Sequence, residues 1–379
     1  MSTSAANLAA SLPVAVALGY YLVLVAFRWQ SGEKRPDAVT IMLGLCHVSA
    51  YAVIVYKAYP LWVGGMMGLT LACATYANLL RGPRFEWVDM KGKVVIVTGS
   101  NTGLGLETAR IIAEMGANVI LACRTPAKAK AAVEWIKSVT GSTTVTWMQL
   151  DLLSKTSILK FAQDFKQQGL PLHVLINNAG MMRHDRLETK DMDNFEQTIT
   201  ANHLGPFLLT NELMPILHKT EGSRIVNVNS SLHTYPSTID LKDPHLTSGY
   251  EMFKAYSRSK LAGVLCTYEL SRRLKAKKTH VTVNCLHPGQ VMTDVTRNMH
   301  WFLRYGEMAV YPLMFLFRKT AYQGAFTSVH VATSPKLKGV TGQYFVHCEA
   351  VSSSSPSYDE KLAQQVWDFT IKTLAIEEQ

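Results

Sequence analysis

The first eighty residues and the remainder of the chain follow different hydrophobic patterns. Residues 1–27 carry no charge, residues 38–56 none apart from His47, and residues 58–80 none. A bilayer core requires about 20 apolar residues per helix. Spans near that length can be drawn over residues 8–27, 39–56 and 61–80. They predict a transmembrane helical region over 1–80, with two or three spans. Met1 to Asn7 holds no basic residue, which argues against a cleaved signal peptide. Arg28, Lys34 and Arg35 follow the first span, Arg81, Arg84, Lys91 and Lys93 follow the third, and only Lys57 separates the other two. Basic loops stay cytosolic. Three spans therefore place whatever follows residue 80 on the cytosolic side.

Residues 81–93 read as a linker, broken by Gly82, Pro83 and Gly92. Beyond it, short β-branched apolar runs stand at 94–97, 118–122, 144–149, 174–176, 225–228 and 281–286, with a seventh at 344–346. Helical patterns separate them, the first over 105–115 and closed by Gly116. Such alternation predicts βαβ units, so residues 94–379 are expected to form an α/β domain. The expected fold is Rossmann-type: a doubly wound parallel sheet that binds its ligand at the carboxyl ends of the strands. Asn202 is placed on a helix beginning near Asn194, and Ser352 to Ser355 on a surface loop.

Two motifs carry chemistry on this frame. Gly99, Ser100, Asn101, Gly103, Leu104 and Gly105 follow the first strand and open the first helix. Glycines there let a backbone approach a pyrophosphate, and a helix N-terminus favours the anion. Tyr256 and Lys260 are four apart and share one helix face. A free phenol titrates near ~10, and a neighbouring ammonium is expected to bring that down. The pair could move a proton between an alcohol and a carbonyl while hydride moves to or from a nicotinamide. Strand two ends Ala122-Cys123-Arg124-Thr125. An NAD site wants an acid there for the ribose hydroxyl. Arg124 instead faces a 2′-phosphate, so NADP(H) is preferred, with NAD(H) as the alternative.

The ordered set of motifs resembles the short-chain dehydrogenase/reductase family, and within it the membrane-anchored retinol dehydrogenase branch. The resemblance runs from about Lys91 to the C-terminus. It rests on Thr98 to Gly105, Asp151-Leu152, Asn177-Asn178-Ala179-Gly180, Asn202, the strand Arg224 to Val228 leading to Ser230-Ser231, Tyr256, Lys260 and Pro288-Gly289. It implies a catalytic set of Ser230, Tyr256, Lys260 and Asn202, the asparagine holding a water in a relay with the lysine. Ser231 is the alternative to Ser230 under a one-residue shift. The resemblance also implies that Asp151, Leu152, Asn178, Ala179, Gly180, Pro288, Gly289 and Thr293 border the cofactor, together with the glycine loop, Arg124, Tyr256 and Lys260.

Residues 297–320 stand where this family keeps its substrate loop, and here the segment is aromatic and aliphatic with Arg304, Arg318 and Lys319 at its edges. Such a segment can rest on a membrane surface. The implied substrate is a long lipophilic alcohol, aldehyde or ketone, polyprenol-like first and retinol or sterol next. The implied location is a membrane, endoplasmic reticulum or lipid droplet, with the catalytic domain cytosolic. A homodimer is left open. A reductase of small carbonyls with a merely locating N-terminus is a weaker reading. A non-catalytic, membrane-tethered nucleotide-binding scaffold is the reading from another class, and the intact Asn202, Ser230, Tyr256 and Lys260 set argues against it.

Overall composition changes little in this picture. The 379-residue chain carries a net charge of +10, but its basic residues are spread out and no stripe interleaves with aromatics, so no nucleic-acid partner is expected. The six cysteines stand singly, without zinc spacing. His203, His233 and His287 likewise show no metal spacing and are read as structural.

Overall fold

The computed structural model describes residues 85–192, 194–235, 239–244, 246–291 and 319–378. Pro83–Arg304 and Gly324–Gln379 belong to one compact unit. The other, Met1–Gly82 with Tyr305–Gln323, lies almost wholly outside the described residues, as do the expected membrane spans, most of the expected substrate loop and Thr293. Among the described residues, no helix is long and apolar enough to cross a membrane.

Among the described residues, eight strands form one sheet in the order β3-β2-β1-β4-β5-β6-β7-β8. They are β1 (Val94–Thr98), β2 (Asn118–Cys123), β3 (Thr146–Gln149), β4 (Val174–Asn177), β5 (Arg224–Val228), β6 (Thr282–His287), β7 (Tyr344–Val346) and β8 (Glu349–Val351). The first seven are parallel, and β8 pairs antiparallel with β7. Parallel strands covered on both faces read as continuous apolar runs, and β1 and β4 are buried at every position. Ile96, Leu121, Leu175 and Ile176 are fully buried, each stabilising the fold by about 1.5–3 kcal/mol through removal from water.

The helices are α1 (Gly103–Glu114), α2 (Pro126–Thr140), α3 (Lys155–Gln167), α4 (Gly205–Lys219), α5 (Met252–Ala276), α6 (Ala321–Thr333) and α7 (Glu360–Leu374). Local signals set their ends. Pro126 opens α2 and left-handed Gly141 closes it. Ser154 caps α3 by accepting from the Ser157 amide, and Asp359 caps α7 by accepting from the Leu362 amide. Phe161 and Phe165 of α3 and Leu208 and Leu213 of α4 pack in one core with Ile96, Leu175 and Ile225. A second cluster joins α5 to α7 through Leu261, Leu265, Leu362, Val366 and Trp367.

Chain order places the site. After β1 the strands run outward through β2 to β3, then cross back to β4 on the other side of β1. That reversal opens a crevice between the loops leaving β1 and β4, at the carboxyl ends of the sheet.

Two expectations are corrected. Asn202 does lie on helical structure, but its start is Gln197 and not Asn194, which is left-handed with φ 56°. A turn at Gln197–Ile199, capped by the Glu196 carboxylate, leads into a π turn at Thr200–Leu204 that carries Asn202 and runs straight into α4. The strand β8 was not expected from sequence at all. His347 and Cys348 make its hairpin with φ 54° and 66°, values suited to a two-residue turn that ordinarily selects Asn or Gly.

Candidate active site

The loop after β1 is built for close approach. Gly99 has φ 63° and Gly103 φ 56°, conformations that L side chains adopt at a cost. A Cβ on Gly105 would stand 2.4 Å from Asn178 Nδ2 and 2.6 Å from the Gly99 carbonyl oxygen. Asn178 and Ala179 tie the loop leaving β4 to the end of β1. Their amides donate to Thr98 Oγ1 at 3.0 and 2.9 Å, and Asn178 Nδ2 donates to the Thr98 carbonyl at 2.8 Å. Ser100 is buried and donates its hydroxyl to the Val97 carbonyl at 2.7 Å. Its side chain therefore shapes the loop from within, while Asn101 and Gly103 stay partly exposed.

The first turn of α1 has no acidic residue, and no side chain caps its N-terminus. Its backbone amides can therefore meet a dinucleotide pyrophosphate, and the residues present fit that group. Leu104 and Gly105 are buried behind them. Arg124 follows β2 as an exposed residue. Asp151 follows β3, where its carboxylate accepts from the Leu153 amide at 3.0 Å, and Leu152 beside it is buried. Pro288 and Gly289 follow β6, Gly289 with φ 94°.

Four predicted residues converge on the mouth of β4 and β5. Tyr256 and Lys260 lie on α5 and are nearly buried, at 9% and 4% exposure. The Lys260 ammonium stands 5.5 Å from the centre of the Tyr256 ring and donates to the Val228 carbonyl at 3.1 Å. Ser230 begins the turn after β5, and its hydroxyl lies close enough to the Tyr256 phenol to favour the ionised form. Ser231 is exposed. Asn202 is clamped: its Oδ1 accepts from the Met181 amide at 2.8 Å, and its Nδ2 donates to the Met181 carbonyl and to Ser259 Oγ, both at 2.9 Å. A Cβ on Gly180 would lie 3.3 Å from Asn202 Oδ1 and 3.4 Å from Lys260 Nζ. Glycine at 180 thus leaves room between the amide and the ammonium.

The electrostatics differ from the simple expectation for this pair. Burial dominates at Tyr256 and pushes its phenol up to about 12, with the Ser230 hydrogen bond pulling the other way. Lys260 is not among the causes. Burial also pushes the Lys260 ammonium down to about 8. The protein by itself therefore keeps Tyr256 protonated at neutral pH, the form that gives a proton to a carbonyl oxygen.

Several supporting groups were not visible in the sequence. The Val228 carbonyl that holds Lys260 and the Met181 backbone that holds Asn202 are main-chain atoms, which carry no residue signal. Ser259 sits within the Tyr256 to Lys260 segment, and only the fold brings it to Asn202. Gly205 lets α4 approach the loop after β3, since a Cβ there would meet the Leu152 carbonyl oxygen at 2.4 Å.

Residues 93–301 match the short chain dehydrogenase family. The chain belongs to that family. Its relatives place it in the retinol dehydrogenase-like branch. A human polyprenol dehydrogenase is 40% identical over 305 residues, covering 78% of this chain and 91% of the relative. Human retinol dehydrogenase 14 is 39% identical over 298 residues, covering 74% and 86%. A crystal structure of an uncharacterised protein from Mycobacterium paratuberculosis superposes with a TM-score of 0.62 at 30% identity, covering 78% of this chain and 97% of that one. The protein is thus an oxidoreductase, a short-chain alcohol dehydrogenase that acts on a small molecule with NAD or NADP.

Proposed function

We propose that this short-chain dehydrogenase uses NADP(H) to interconvert a long lipophilic alcohol and its carbonyl, polyprenol-like first and retinol or sterol next. The observation that carries the reading is the convergence of Ser230, Tyr256, Lys260 and Asn202 beside the crevice at the switch in strand order. Arg124 supports NADP(H), because a guanidinium follows β2 where an NAD site keeps an acid. The relatives' names, polyprenol dehydrogenase and retinol dehydrogenase, support an isoprenoid-type alcohol.

When bound, the nicotinamide supplies or accepts the hydride. The chain's own residues do the rest. The protonated Tyr256 phenol gives its proton to the carbonyl oxygen as that oxygen gains negative charge. Ser230 donates a second hydrogen bond to the same oxygen, which lowers the charge that must be carried. Lys260, held by the Val228 carbonyl, places a cation near the phenolate left behind and so favours the charged form. Asn202 holds its amide beside Lys260, and a cavity of about 60 Å³ on the helix side, bordered by Asn202, Asn177 and Asn229, has room for about two waters. A water held at Asn202 would return the proton by way of Lys260 to Tyr256.

The reading extends to location. The charge-free runs before residue 80 would anchor the chain in the endoplasmic reticulum or lipid-droplet membrane with the catalytic domain in the cytosol. The apolar segment near 297–320 would admit the substrate from the lipid phase. The test is turnover by the full-length protein in membranes. It is offered polyprenols, retinol and sterols with NADP and with NAD, and the reverse carbonyls with each reduced form. A polyprenol or retinoid pair turned over with NADP(H) is expected. Turnover of hydrophilic carbonyls alone would overturn the substrate class.

A further inference from the structure

Ser230 is braced from a direction the reaction does not require. Its hydroxyl accepts from the Leu232 amide at 3.2 Å. That bond occupies a lone pair and leaves the hydroxyl proton available to be donated. Its carbonyl accepts from the His233 amide at 3.1 Å and faces His233 Nδ1 at 2.7 Å. The other ring nitrogen, Nε2, accepts from the Ser354 amide at 3.0 Å. An imidazole that accepts at Nε2 must carry its proton on Nδ1. His233 therefore donates to the Ser230 carbonyl. The ring is 1% exposed and packs against Tyr344 with centroids 4.9 Å apart.

The far end of this link is also secured. Ser354 precedes a turn at Ser355–Tyr358 and accepts from the Ser357 amide and hydroxyl at 3.0 and 2.6 Å. Next to it, Ser353 Oγ bonds the Tyr268 hydroxyl at 2.7 Å, and the Ser353 amide donates to the Tyr358 hydroxyl at 3.0 Å. Tyr268 lies on α5, the helix of Tyr256 and Lys260. The serine run near the C-terminus thus fastens to the helix that carries the phenol, and His233 fastens Ser230 to the serine run.

We propose that His233 is a positioning residue: its Nδ1 proton holds the Ser230 carbonyl, fixes the peptide plane on that side, and so aims the Ser230 hydroxyl at the oxygen of the reacting carbonyl. This deepens the proposed function and rests on it. A buried structural histidine would serve packing through both of its hydrogen bonds alike. A positioning histidine acts through Nδ1. Misplacement of a reacting group by about 1 Å costs on the order of 100-fold in rate, so release of this brace should appear in kcat.

Two variants separate the bonds. His233→Asn keeps a donor where Nδ1 stands and cannot reach Ser354. His233→Gln reaches the Ser354 amide with an acceptor and offers no donor to Ser230. Full-length protein in membranes is assayed with NADPH and either a polyprenal or retinaldehyde. His233→Gln should lose about 10- to 100-fold in kcat, with KM and NADPH affinity within about threefold. His233→Asn should keep at least about a third of kcat. Equal losses in both variants, or no loss in His233→Gln, would overturn the proposal. Histidine ¹⁵N resonances of the wild-type chain need no substrate: an Nδ1-protonated neutral ring at pH 7 is expected, and protonation at Nε2 would overturn it. Absence of wild-type turnover, or full activity of Tyr256→Phe, would strike the enzymatic reading instead and leave the tautomer result standing.

Discussion

Gly105→Ala perturbs the phosphate loop with a single methyl, and the structure sets the scale. The new Cβ would lie 2.4 Å from Asn178 Nδ2, 2.6 Å from the Gly99 carbonyl oxygen and 3.0 Å from Ser100 Cα. Two of these are backbone atoms and cannot swing aside. Asn178 can retreat only by giving up its 2.8 Å bond to the Thr98 carbonyl. Overpacking of this kind costs about 1–3 kcal/mol, and the lost hydrogen bond adds about 1 kcal/mol. The expected fall in Tm is roughly 5–10 °C for a domain of this size. Because α1 must move away from the loop, its N-terminus also leaves the pyrophosphate. That interaction is worth up to ~2 kcal/mol in partly buried geometry, so NADPH affinity should fall about tenfold. Fluorescence titration of NADPH into the full-length protein reads the affinity, and a thermal melt reads the stability. Gly222→Ala is the control: φ 68° strains any side chain, but nothing stands within 4 Å. It should lower stability by about 1–2 kcal/mol and leave cofactor binding alone. A Gly105→Ala protein that binds NADPH as tightly as wild type would refute the assignment of this loop to the phosphates.

Other expectations follow from single groups. Arg124→Glu should weaken NADPH binding about 10- to 100-fold, the scale of one lost charge-assisted hydrogen bond, and affect NADH far less; an unchanged preference in paired titrations would remove Arg124 from cofactor choice. His203 is buried against Thr370 Oγ1 at 2.9 Å, and burial holds its imidazole down to about 4. Unfolding therefore takes up a proton between pH 6.5 and 4, so its contribution is fully present above pH 6.5 and is lost as pH falls through that window, by up to about 3 kcal/mol. His203→Gln keeps a partner for Thr370 without titrating. Its denaturation midpoint should fall less than wild type between pH 7 and pH 4, and equal acid sensitivity would contradict the assignment.

Much of the fold was legible because the physics is local. Val94 to Val97 and Val174 to Ile176 are apolar at every position, and only a strand covered on both faces tolerates that pattern. Thr98 to Gly105 and Tyr256 to Lys260 each span a few residues, so spacing alone described them. What escaped was set by distant partners. The turn at His347 and Cys348 has no Asn or Gly to announce it, and β8 went unseen. The π turn around Asn202 lies between the Glu196 cap and the close approach of Gly205 to Leu152, which is distant in sequence. The protonation of Tyr256 depends on how much of the ring is covered. Four-residue spacing from a lysine led to the opposite direction, since burial raises the phenol and only Ser230 opposes it, while the Lys260 cation is engaged by the Val228 carbonyl. His233 read as an ordinary core histidine because its two partners, Ser230 and Ser354, are 124 residues apart in sequence.

Tyr256→Phe, assayed for turnover and NADPH binding on the same preparation, bears most directly on the proposed chemistry. Loss of the phenolic proton should lower kcat by about 100- to 10,000-fold and leave cofactor affinity near wild type. Turnover within a few fold of wild type would show that another group supplies the proton, and would contradict the role of Tyr256 as proton donor.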